Sequence, residues 1–235
     1  MGIIFNDGQD VAGKKFQRKM TTRVSLGPRT EPRWPAAVAL LAAGWMYLGL
    51  PEDISLGPRW LLLAIILVLL APLVITHRSG LHRVNHVLAI VADGILTIFL
   101  IGSLSFLVQG LPSHREGPRA LLQSAAGLWF TNILVFALWY WRLDAGGPHM
   151  RENATGPIQS AFLFPQMTRP DADAASVRWA PHFVDYLFLA FNTSTAFSPT
   201  DTAVLSRKAK LAMMAQALIS LTIIALLAAR AVNVL

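Results

Sequence analysis

Twenty-five consecutive residues, VLAIVADGILTIFLIGSLSFLVQGL (87–111), contain a single charged side chain. About 20 such residues in a helix span the ~30 Å hydrocarbon core of a bilayer. Four further runs have the same character: 34–50, 60–75, 120–141 and 211–235. All five are read as helices, because an open strand in lipid would leave its backbone groups unpaired. Only 14% of the 235 residues are charged, against about a quarter in soluble domains, so the chain reads as an integral membrane protein. Trp34, Trp60, Trp139, Trp141 and Trp179 fall at the ends of these runs, where indole rings favour the headgroup zone.

The net charge of +7 is concentrated in the first 33 residues and in short loops. That pattern is the one bilayer orientation requires, so the expected partners are lipid and its anionic headgroups, not nucleic acid. Residues 1–34 are expected to form a basic cytoplasmic tail, with the helical membrane domain at 35–235. No apolar segment lies near Met1, which argues against a cleaved signal, and Met20 is an alternative start. The expected location is the cell membrane, multi-pass, with the N-terminus cytoplasmic. A homo-oligomer is compatible with such a chain. The Gly-, Pro- and Asp-rich stretch 142–181 reads as a long surface loop.

A sixth segment, HFVDYLFLAFNTSTAFSPTDTAVL (182–205), is different. Its strongly apolar part, 183–191, makes only about 14 Å of helix, half a crossing. It either crosses with an interruption at Ser198-Pro199 or dips in and returns. Arg207, Lys208 and Lys210 favour the dip, because cations prefer the cytoplasmic face. Asp93 and Arg230 come to matching depths if the last helix runs inward, which favours an ion pair and six crossings with both termini inside. The expected fold is thus an all-α bundle of about six hydrophobic segments, the fifth interrupted or re-entrant.

His82, His86, Asp93 and Thr97 share one face of the third helix, and Asn132 lies near the depth of Asp93 on the fourth. With Asn192, Thr193, Ser194, Thr195, Asp201 and Arg230, His86, Asp93 and Asn132 make a candidate polar path for ions or protons. The alternative is a scaffold whose polar groups only satisfy one another across helices. Ser124, Gly127 and Thr131, and the series Gln216, Ser220, Ile223, Leu227 and Arg230, read as packing seams. The chain has no cysteine, no phosphate-binding loop, no HExxH and no G-x-S-x-G, so no enzyme, cofactor or metal site is expected.

The stretches 185–235, with AFSPTDT as its most distinctive part, and 136–148, FALWYWRLDAGGP, resemble signatures of a bacterial family of multi-pass membrane proteins of unknown function. That resemblance implies an inner-membrane location and no mechanism. More distantly, 185–235 is similar to the pore loop and inner helix of potassium channels. There Ser194 and Thr195 correspond to filter threonines, Phe197 to its aromatic residue and Asp201 to the acid beyond it. Ala196, Ser198 and Pro199 stand where a carbonyl-lined filter has glycines.

Overall fold

The computed structural model describes residues 31–110, 118–153, 159–168, 179–195 and 201–232. All belong to one unit, Glu31–Leu235, so most of the expected basic tail lies outside the described residues. Helix α1, Trp34–Leu48, starts on Pro35, whose missing N–H costs nothing in a first turn. A short turn leads to α2, Trp60–Arg78, and Gly80, at φ 70°, lets the chain reverse into α3, His82–Gly110. Helix α4, Pro118–Leu143, follows. Pro72 inside α2 cannot donate to the turn before it, and its own carbonyl accepts from Thr76 Oγ1 at 2.7 Å.

Four stretches are long and apolar enough to cross a membrane: α2, α3, Arg119–Asn153 (which takes in all of α4 but its first residue) and most of the last helix. The protein is therefore a helical membrane protein, and six hydrophobic helical segments stand where the apolar runs placed them. Helix α1, at 15 residues, is shorter. It packs so tightly on α2 that a side chain at Gly44 would come within 2.8 Å of Ile66. Helix α4 occupies the centre, against α1, α3 and both C-terminal helices.

The stretch after α4 is not the surface loop its composition suggests. Ala145, Gly146 and Gly147 all take positive φ and turn the chain back into α5, Pro148–Asn153. Beyond it, the two-residue strand β1, Phe162–Leu163, buries Phe162 completely, and Phe164 is 5% exposed. Phe162 sits among the rings of Tyr140, Phe164 and Tyr186, so burial of aromatic area orders what lacks any helical period.

The fifth apolar segment in chain order, 182–205, decides the topology. Helix α6, Phe183–Thr195, begins beside the end of α4, with Phe183 and Trp141 rings 5.8 Å apart. It then runs antiparallel down α4 until Phe191 meets Trp129 at 6.0 Å. Its 13 residues reach ~18 Å, a little past the middle of a bilayer core. The strand β2, Ala203–Val204, pairs Val204 with Phe162, so the chain is already back at the end where α6 started. Helix α7, Arg207–Val232, sets out from that end, parallel to α6.

Of the two expected arrangements, the fifth segment therefore adopts the dip and return. The pairing of β2 with β1 puts the starts of α6 and α7 at one end of the bundle, where the expectation of six crossings put them at opposite ends. The physical reason is length: nine strongly apolar residues cannot cross, whereas Arg207, Lys208 and Lys210 anchor α7 at the end where it begins. The interruption expected at Ser198-Pro199 lies outside the described residues.

Candidate functional site

At mid-depth, α4, α6 and α7 meet around one amide. Gln216, fully buried, donates through Nε2 to the Ala190 carbonyl at 2.7 Å and to Ser194 Oγ at 2.8 Å. Its Oε1 accepts from the Tyr140 hydroxyl. One turn deeper, Asn132 Nδ2 donates to Ser220 Oγ at 2.8 Å and more weakly to the Gln216 carbonyl at 3.3 Å. Asn132 Oδ1 is buried with no hydrogen-bond partner among the described residues. Met213, Gln216, Ser220 and Ile223 are all buried on one face of α7, so the seam expected there is present through Ile223. Leu227 is half-buried, and the side chain of Arg230 lies outside the described ones.

The hydroxyl-rich end of α6 divides by helical period. Thr193 and Ser194 are buried, with Thr193 Oγ1 donating to the Leu189 carbonyl at 2.8 Å. Asn192 is half-buried and Thr195 exposed, and each donates to the carbonyl four residues back, at 2.9 and 3.0 Å. Asp201 is exposed.

Asp93 does not belong to this group. It is completely buried on α3 and paired with Arg142, the penultimate residue of α4, whose Nε donates to Asp93 Oδ2. The pairing expected with Arg230 is thus replaced. Arg142 reaches Asp93 because α4 ends where α3 passes Asp93, while α7 packs on α4 and α6. Thr97, one turn below Asp93, accepts from Trp139 Nε1 at 2.9 Å. His86 is exposed, facing Gly147, and His82 stacks on His149 with ring centroids 3.4 Å apart.

A charged clasp, which sequence reading missed, closes the end where α1, α6 and α7 begin. Glu31 accepts from Trp141 Nε1 at 2.5 Å and from Arg151 at 2.9 Å. Arg151 also donates to the carbonyls of Trp141 and Asp144, which capping α4's last turn requires. Arg33 pairs with Glu152 at 2.8 Å. Asp144, fully buried, accepts from Ser160 Oγ and the Ala161 N–H, both at 2.6 Å, and from the Tyr186 hydroxyl at 2.5 Å. One carboxylate therefore ties the end of α4, the approach to β1 and the first turns of α6 together. The signal was present in RLDAGGP, whose acid and two glycines mark a built turn, but the partners of Arg142 and Asp144 lie 49 and 42 residues away.

No described group brings together three side chains that could hold a metal. The chain matches no family model, no curated protein and no solved structure. The fold and this site define a class: a helical membrane protein with a half-depth helix docked on a buried polar hub.

Proposed function

We propose that this protein moves cations across the bilayer, with α6 forming part of the wall of a polar path. The observation that carries the reading is the end of α6 at mid-depth. A helix carries about half a negative charge at its C-terminus, and half-helices ending inside a membrane use it to hold cations. Thr195 and Asn192 flank that end, Asp201 follows it, and Asn132 Oδ1 supplies a carbonyl oxygen at nearly the same depth. Asp93, neutralised by Arg142, stands outside this path. The order of a short inserted helix, a return and a long helix also supports the pore-loop resemblance.

The proposed orientation follows from charge. Among the described side chains, Arg33, Arg78, Arg83, Arg142, Arg151, Arg207, Lys208 and Lys210 cluster at the end from which α6 dips, against Arg59 and Arg119 at the other. The positive-inside rule then makes that end cytoplasmic, in the cell membrane, where it meets anionic headgroups. The test is flux: purified protein in liposomes, with K⁺, Na⁺ and proton gradients read in turn, and Thr195→Val as the variant. Flux that the variant changes supports the reading, and no flux of any cation overturns it.

A second reading, a membrane scaffold, is favoured by one observation. Gln216 and Asp144 have every side-chain polar atom bonded within the protein, as structural groups do.

A further inference from the structure

We propose that this protein imposes a step on the bilayer: lipid beside α1 and α2 is about 10 Å thinner than lipid beside α3 and α4, the difference lying in the leaflet away from the charged clasp. Three contacts fix the relative heights of the helices at that far end. The rings of Tyr47 and Phe99 meet at 5.3 Å. A side chain at Gly102 would collide with Leu56, and one at Gly127 would touch Leu50 at 3.9 Å. The turn joining α1 to α2 is therefore level with Gly102 on α3 and with Gly127 on α4. Beyond that level α3 continues to Gly110, and α4 starts as far out as Pro118, so both stand ~12 Å taller.

The side chains at the two heights are incompatible with a flat surface. The low turn carries Glu52 and Asp53, both exposed, and Arg59, paired with Glu52 at 2.8 Å. The tall ends carry Phe106, Val108 and Leu122, all exposed. A surface level with the tall ends would sink three charged groups under ~10 Å of lipid. One level with the low turn would leave the three apolar side chains together in water. Bilayers meet such a mismatch by deforming, at modest cost per ångström. Apolar lengths agree with the step. The run 87–108 on α3 makes ~32 Å of helix, a full core, whereas 34–48 on α1 makes ~21 Å and 60–75 on α2 ~23 Å.

Lipid is the occupant assigned to the low side, because indole rings frame it. Trp34, Val38, Leu41 and Trp45 form one exposed stripe along α1, with Trp34 and Trp45 69% and 67% exposed and ~17 Å apart along the axis. Trp60, 62% exposed, stands within a turn of the level of Trp45, since a side chain at Gly44 would meet Leu63 at 3.1 Å. Indole rings favour the headgroup zone. These therefore mark two headgroup zones closer together than a ~30 Å core allows. The pairing of Arg33 with Glu152 holds the start of α1 at the polar face of the clasp end, so the shortfall appears at the far end. Nothing in this depends on ion movement.

The chain has no cysteine, so single nitroxide labels can be placed on introduced ones. Met46→Cys on the low side and Ile98→Cys on the tall side lie at one height, because Tyr47 meets Phe99, and Ile101→Cys lies ~4 Å further out. All three positions are exposed. In liposomes of palmitoyl-oleoyl phosphatidylcholine, a water-soluble nickel chelate, measured against oxygen, should collide with the label at 46 at least threefold more than with those at 98 and 101. Unmodified protein gives a second readout. Lipid brominated near the headgroup should quench its exposed indoles more than lipid brominated near the chain ends. A collision ratio at 46 less than threefold above those at 98 and 101 overturns the proposal, because the surface is then flat. A label at 46 shielded from both oxygen and nickel also overturns it, since protein, a second copy included, would then cover α1. Quenching by the deeper bromines that equals or exceeds the shallow quenching overturns it as well.

Discussion

Replacing Gln216 with leucine keeps a side chain of similar bulk, one bond shorter, and removes three contacts that hold the half-depth helix. The amide bonds lost reach Ala190 and Ser194 on α6 and Tyr140 on α4. Hydrogen bonds between helices in a membrane average about 0.6 kcal/mol and reach about 1.7, so three of them contribute roughly 2 kcal/mol, with a ceiling near 5. Thr193, beside Tyr140, is able to accept the freed hydroxyl and pull the figure toward the lower end. Unfolding of Gln216→Leu in a mixed-micelle SDS titration should therefore show a loss of about 2–3 kcal/mol. The double variant with Tyr140→Phe should be less than additive by about 1 kcal/mol, because the orphaned hydroxyl is then gone. A loss under about 0.5 kcal/mol, or strict additivity, would refute the claim that this amide docks α6.

Arg142→Met leaves the Asp93 carboxylate alone in an apolar interior and should cost about 3–5 kcal/mol, most of it recovered by adding Asp93→Asn. The same titration measures both, and a double variant no better than the single would remove the pair from the account. Tyr186→Phe takes one donor from buried Asp144 and should cost about 1.5–3 kcal/mol, with faster proteolysis near residues 179–183 as a second readout. A phosphatase or fluorescent reporter fused after Leu235 should report the external face, because α7 starts at the end taken as cytoplasmic and runs 26 residues away from it. A cytoplasmic signal would return the chain to six crossings. Gly44→Val should weaken the α1–α2 contact by about 1–3 kcal/mol through the 2.8 Å approach to Ile66, and a neutral result would mean that the helices part freely.

Much of the bundle was legible in the sequence because its cause is local. A run such as 60–75 must become a helix in lipid whatever surrounds it, and the structure extends it only to Arg78. The face of α7 was also legible, since Gln216, Ser220 and Ile223 recur at helical spacing and all three are buried. The 142–181 stretch was not, because Phe162 and Asp144 have no period and become core only when Tyr186 arrives from 42 residues beyond Asp144. Asp93 illustrates the same limit: depth along a helix nominated Arg230, but which neighbour lies beside α3 is a matter of packing.

Hydrophobic length alone determined that the chain lives in a membrane as a set of helices, and that the strongly apolar part of 183–191 reaches only half-way across, because the bilayer fixes both requirements residue by residue. Whether that short segment crosses or turns back, and which groups its end meets, was decided by contacts between elements distant in the chain: β2 on β1, Gln216 on Ser194, Arg142 on Asp93. Pairings of that kind depend on which helices become neighbours, and no spacing within a single run encodes it.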